Sequence, residues 1–368
     1  MVSGTKNINI QKPAVNHMKA IIARGHGVVE VGQVPEPKIT HEYMVKTKTL
    51  MCGLCGTDKH IIDGVFHFGI LGGRFETYPT VLGHESVGEV IELGSKVRSF
   101  RIGDRILKPS LLKVDGGMNS TWGSLSEYTV ACDYTAMVED GNKDFDPFTL
   151  SSFMCHQVVP PRMPTEHGVM IITLTEVFSA MNRLGLARNK SLLIYGAGPV
   201  GLTFTRFARL RGMSPIVVVS RTKRKLDLAK SLGADVTISP KEENVPAKAR
   251  EVVGAKGFDF IVDTAGSTEI MQQAIGLIGF NGKICEYGIA PQTQANLDWL
   301  KAPDNWTLQF LQLPNFEEET SVFGEVISLI ESGAVDPMKV VDRILHVDQT
   351  DEAIRLAKEG ALKIIIRF

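Results

Sequence analysis

The chain has 368 residues, more than a single hydrophobic core usually organises, so two domains are expected. Forty Lys and Arg nearly balance 41 Asp and Glu, a formal charge of -1 with no basic block, which argues against a nucleic-acid partner. The longest apolar runs, such as 168–174 and 216–219, are far too short to span a bilayer, no basic-then-apolar leader opens the chain, and five cysteines do not make a secreted disulfide framework. No membrane association and a cytoplasmic location are therefore expected.

Residues 1–17 are polar and aperiodic and read as a loose extension. From residue 18 short β-type runs (43–49, 86–93, 125–130) alternate with Gly and Pro turns, which predicts a mostly antiparallel β domain over 18–186. Within it, Cys52-Gly-Leu-Cys55-Gly-Thr-Asp-Lys-His60 and then Gly83-His84-Glu85 supply thiol, imidazole and carboxylate groups, a mixture that suits zinc. A closed structural site needs four Cys or His ligands, which this segment lacks. A catalytic zinc instead keeps one position open for an alcohol oxygen and eases loss of its proton.

At residue 187 the texture changes. Runs at 192–195, 216–219, 235–238, 258–262 and 282–287 alternate with helical segments, predicting a doubly wound parallel sheet over 187–313. Gly196-Ala-Gly198-Pro199-Val200-Gly201 is a GxGxxG placed after the first of these strands and opening a helix over 202–211, the context in which it binds a dinucleotide pyrophosphate. The second strand ends in Ser220-Arg221-Thr-Lys-Arg224, with no carboxylate to take the ribose hydroxyls of NAD. Ser220, Arg221 and Arg224 offer a hydroxyl and cations to a 2'-phosphate, so NADP is the expected cofactor. The last stretch, 314–368, reads as a helix over 322–332, then runs at 340–347, 353–359 and 362–368 that return to the β domain.

The ordered set Cys55-Gly-Thr-Asp-Lys-His60, Gly83-His84-Glu85, Gly103-Asp-Arg, Gly123-Ser-Leu-Ser-Glu-Tyr128 and Gly196–Gly201 resembles the zinc-containing medium-chain dehydrogenases of the alcohol dehydrogenase type across 18–368. The resemblance implies an α/β plus β architecture: a GroES-like β-rich catalytic domain with a Rossmann doubly wound cofactor domain, assembled as a homodimer or homotetramer. It implies that Cys55 and His84 hold the catalytic zinc and that Glu85 is near enough to coordinate it. By the same resemblance Thr57 passes on the substrate proton, His60 carries it towards solvent, Asp58 stands behind the ligands, and Lys363 reaches the cofactor pyrophosphate.

Three departures shape the expectation. The lobe over 105–123 has no cysteine, so one zinc per chain is expected and no structural zinc. The long spacing from Cys55 to His84 resembles the glucose dehydrogenase branch and points to a polyol or sugar substrate. Counting back from Gly196, the position of the remaining family ligand falls on Ile172, which cannot coordinate. The zinc is then held by Cys55, His84 and Glu85 with water, which is the expectation, or recruits a neighbour such as Glu176, or has been lost. Cys155-His156 reads as packing, Cys132 and Cys285 as core, and Trp122, Phe66, His67 and Phe68 as candidate walls of a substrate cleft. The leading expectation is an NADP-linked, zinc-dependent dehydrogenase acting on an alcohol, polyol or sugar hydroxyl. A zinc-free quinone or enone reductase of the same fold and a non-catalytic NADP sensor are the alternatives.

Overall fold

The four apolar residues of Leu192–Tyr195, and again of Ile216–Val219, leave no polar face for water, so these strands need cover on both sides. In the computed structural model, which describes residues 16–65, 78–114, 117–292, 294–312 and 315–368, they lie in an all-parallel six-stranded sheet. Its spatial order is Val236–Ile238, Ile216–Val219, Leu192–Tyr195, Phe258–Asp263, Ile278–Glu286, Trp306–Phe310. Leu192, Ile194 and Val218 belong to the core on one face, Leu193, Tyr195 and Val217 to the core on the other. Chain order reverses beside Leu192–Tyr195, and at such a reversal the strand ends open into a ligand crevice. This is a Rossmann sheet.

The other lobe is GroES-like and is built around the strand Met44–Leu54. One edge of that strand pairs antiparallel with Glu85–Leu93, and its two halves also pair with Tyr128–Cys132 and Lys363–Arg367. Lys363–Arg367 in turn runs parallel to Val341–His346, so the C-terminal strands share the sheet of the β-rich lobe. A smaller sheet contains His17–Gly25, Val28–Pro35, Thr80–Val81 and Asn119–Ser120.

The helix Thr165–Leu184 packs against Met44–Leu54 and Glu85–Leu93 of the β-rich lobe and against the Pro199–Leu210 helix of the Rossmann lobe. Fourteen of its twenty residues are buried, and Gly185 ends it in the left-handed conformation at φ 76°. Such a helix has almost no polar face, and therefore no amphipathic period to read from sequence. Where a single helix was expected over 322–332, the structure has two, Phe316–Ser321 and Phe323–Glu331, and the first brings Glu319 into the interior. Among the described residues no helix is long and apolar enough to cross a membrane.

This arrangement makes three strand ends meet. Gly53 pairs with Glu85 and Leu54 with Ile364, so Cys55, His84, Glu85 and Lys363 gather at one corner. The glycine loop of the Rossmann lobe lines the same cleft.

Candidate active site

Cys55 sits immediately before the helix Gly56–Ile62, where its backbone N–H donates to Asp58 Oδ2 at 2.9 Å. The other Asp58 oxygen accepts the Gly83 N–H at 3.0 Å and lies 3.7 Å from His84 Nδ1. Asp58 is wholly buried and so ties the Cys55 loop to the turn that carries His84. That turn needs glycine: Gly83 has φ 96°, and a Cβ there would come within 2.6 Å of Leu125.

The ligand atoms of Cys55, His84 and Glu85 lie within 4.8 Å of one another, and among the described residues this is the one cluster of its kind. Burial by itself would lower the His84 pKa, yet the negative charges of Asp58, Cys55 and Glu85 outweigh it and raise the imidazole to about 10. Among the described residues its buried Nδ1 has no hydrogen-bond partner. A soft thiol, an imidazole and a carboxylate around an anionic pocket fit zinc. Glu85 is also the buried partner of Lys363 and accepts from Thr173 Oγ1 at 3.3 Å. Burial works against its ionisation, but Lys363 and His84 hold its carboxyl below the usual range. Gly53 makes room for this pair, because a Cβ there would meet the Glu85 carboxylate at 2.5 Å and Lys363 at 3.3 Å.

Thr57 and His60 lie three residues apart on the Gly56–Ile62 helix and both face the cleft. Thr57 Oγ1 is 3.8 Å from the Cys55 sulfur. Burial, followed by the charge of Lys59, lowers His60 from its ordinary value, leaving a neutral base.

Across the cleft, the three glycines of the Rossmann loop have three separate duties. Gly196 takes φ 100° in the tight turn, a Cβ on Gly198 would meet open space, and a Cβ on Gly201 would lie 1.9 Å from the Gly196 carbonyl oxygen. The open space at Gly198, Pro199 and Val200 marks where a pyrophosphate can approach the start of the Pro199–Leu210 helix. Ser220 follows the strand Ile216–Val219, with Arg221 exposed beside it. The whole cleft has a volume of about 380 Å³.

The comparisons with known proteins agree with this geometry. Residues 40–139 match the alcohol dehydrogenase GroES-like domain and residues 199–324 match the zinc-binding dehydrogenase domain. The chain belongs to the alcohol-dehydrogenase-like medium-chain family. It is 24% identical to a sorbitol dehydrogenase of Bacillus subtilis, over 95% of this chain and 97% of that one. A zinc-binding dehydrogenase of Sinorhizobium meliloti bound to NADP shares the fold with a TM-score of 0.75 at 22% identity, covering 96% of this chain and 100% of that one. A short chain alcohol dehydrogenase of Escherichia coli CFT073 complexed with NADH does so with a TM-score of 0.75 at 21% identity, covering 96% and 99%. As a family member the protein is an oxidoreductase of the alcohol dehydrogenase type.

Against this family pattern, several residues take unexpected places. Ile172, reached by counting from Gly196, points into the core, and its neighbour Thr173 is the residue that reaches Glu85. Arg224 forms a bidentate pair with Asp342, both bonds at 2.8 Å, instead of standing free beside Ser220 and Arg221. Lys363 is engaged with Glu85 at the ligand cluster and not with the glycine loop. Cys155 and His156 are buried at the cleft wall; the Cys132 N–H donates to His156 Nδ1, and burial takes that ring down to about 4. Trp122 lines the cleft with its ring 5.0 Å from that of His84, whereas Phe66, His67 and Phe68 lie outside the described residues. Two groups escaped the sequence reading. Lys225 is half-buried beside Arg221 and Arg224, and Lys108 is half-buried between Glu176 and Glu319. Only Glu176, a charged residue preceded by Thr175 in an apolar stretch, carried a sequence signal for the second.

Proposed function

We propose that this chain is an NADP-preferring, zinc-dependent dehydrogenase that moves a hydride between the nicotinamide and a hydroxyl or carbonyl of an alcohol, polyol or sugar, with one catalytic zinc per chain and no structural zinc. The convergence of Cys55, His84 and Glu85 in the cleft that also holds the glycine loop carries the reading. When bound, zinc polarises the substrate oxygen and the nicotinamide exchanges the hydride. Cys55 and His84 are positioned to hold the metal, with Glu85 adjacent and restrained by Lys363 and Thr173. Thr57 Oγ1 takes the proton of the substrate hydroxyl, and the neutral His60 imidazole, one helical turn on, passes it outward. Ser220 and Arg221 receive the 2'-phosphate, assisted by Lys225. Two copies of the chain join as a homodimer through the Trp306–Phe310 edge of the Rossmann sheet.

Elemental analysis together with steady-state kinetics tests this reading. One zinc per chain and a kcat/KM with NADPH roughly tenfold or more above that with NADH are expected. Two zincs per chain, or equal use of NADH, contradict it. The buried Glu85–Lys363 pair satisfies the carboxylate without a metal, which favours a second reading as a zinc-free reductase of activated alkenes. Full activity in metal-free protein would establish that alternative.

A further inference from the structure

Lys108 and Glu176 line the cleft with the buried Glu319 behind them, a charged cluster that the hydride transfer and the Cys55–His84–Glu85 zinc site proposed above do not use. Lys108 Nζ lies 3.0 Å from Glu176 Oε1 and 2.7 Å from Glu319 Oε1. Glu319 is anchored further, because Thr175 Oγ1 donates to Oε1 at 3.2 Å and the Cys155 thiol to Oε2 at 3.6 Å. Its role is complete within the protein. Glu176 differs: among the described residues only Oε1 has a hydrogen-bond partner, Lys108, and its side chain is 21% exposed on the cleft wall. The phenol of Tyr287 lines the same cleft; burial first, and then the charges of Glu176, Cys285, Glu319 and Cys55, raise it above its ordinary value.

Taking the Glu319 carboxylate fully out of water and half-burying Lys108 and Glu176 beside it costs desolvation that a well-packed apolar replacement would avoid, so the cluster is poorly explained as a source of stability. The backbone at Lys108 points the same way. Four non-glycine residues among those described have positive φ; Asn189 and Asn281 are of the type that tolerates it, whereas Lys108 at 55° and Trp122 at 66° do not and both line the cleft.

We propose that Glu176, with Lys108 held beside it by Glu319, is the specificity-determining subsite for hydroxyl groups of the substrate remote from the reacting one, and so selects polyols over simple alcohols and hydroxy acids. A hydroxyl both donates and accepts, so it satisfies Glu176 Oε2 and the Lys108 ammonium together. An apolar chain leaves both unmet, and a carboxylate is repelled by the second negative charge of the cluster. This inference rests on the dehydrogenase reading above.

The test compares kcat/KM for a hexitol and for butan-2-ol in the wild type and in Glu176→Gln and Glu176→Leu, with hexitol-induced thermal stabilisation of the NADPH-loaded protein measured alongside. The hexitol to butan-2-ol ratio is expected to fall about ten- to hundredfold in both variants, chiefly through the hexitol KM, and the stabilisation to disappear. A ratio that stays within about threefold and an undiminished stabilisation overturn the proposal. If no alcohol is turned over by any form, the dehydrogenase reading fails, while loss of hexitol stabilisation in Glu176→Gln still supports the subsite and its persistence refutes it. Retained NADPH binding shows that the variants are folded, and Lys108→Arg, which keeps the ammonium's charge, retains more of the ratio than Lys108→Met.

Discussion

Both oxygens of Asp58 hold backbone beside the proposed metal ligands, one at Cys55 and one at Gly83, next to His84. Asparagine keeps one of those acceptors and replaces the other by a donor facing a donor. Asp58→Asn is therefore expected to destabilise the protein by about 1–3 kcal/mol and to speed zinc removal by a chelator at least about tenfold, read by denaturant unfolding and by metal release. Glu286 makes a different statement at the same scale. It is buried, neither carboxylate oxygen has a hydrogen-bond partner among the described residues, and burial, reinforced by Asp263 on the neighbouring strand, raises its pKa from 4.5 to about 8. Because the folded form holds this proton more tightly than the unfolded one, its contribution to stability is fully present below about pH 4.5 and is lost as the pH rises to about 8. Glu286→Gln should flatten the decline of stability over that window, and unfolding midpoints measured from pH 5 to pH 9 check it. An unchanged slope would mean that Glu286 is already ionised in the folded protein.

At the scale of elements, legibility follows how each segment meets water. The strands at 192–195 and 216–219 were readable because short β-branched runs bounded by turns have few other solutions, and the glycine loop because each glycine answers a distinct steric need. Thr165–Leu184 was not readable as a helix, since burial nearly all round erases the 3.6-residue period. That loss propagated into the site. Counting along sequence led to Ile172, but successive residues on a helix point about 100° apart, and the one that faces the ligand cluster is Thr173. Likewise the pairings of Arg224 with Asp342 and of Lys363 with Glu85 join residues more than a hundred positions apart, which no local spacing encodes. Thr173→Cys should supply a second thiolate beside Cys55 and slow chelator removal of zinc roughly tenfold, whereas Ile172→Cys should leave it unchanged. A slower release in Ile172→Cys alone would restore the counted alignment.

For the whole molecule, the feature that composition hides is the free edge of the Rossmann sheet. Among the described residues Trp306–Phe310, like Val236–Ile238 at the opposite edge, pairs on one side only, here with Ile278–Glu286, and an unpaired strand offers its N–H and C=O groups to another chain unless something covers them. Nearby, Phe280, Phe310 and Trp299 are more than half exposed and Leu300 is 96% exposed, a set of apolar side chains that water would not retain on a free surface. Two copies related by a twofold axis would satisfy both demands at once, because the same strand would pair antiparallel with itself and join the two six-stranded sheets into one. The metal corner lies across the cleft on the other lobe, so separating the copies should spare zinc content. Sedimentation of the wild type at about 10 µM is expected to show a dimer, and Leu300→Asp combined with Phe310→Lys a monomer that still binds one zinc. A wild-type monomer at that concentration, or a variant dimer of unchanged affinity, would place the contact elsewhere on the surface.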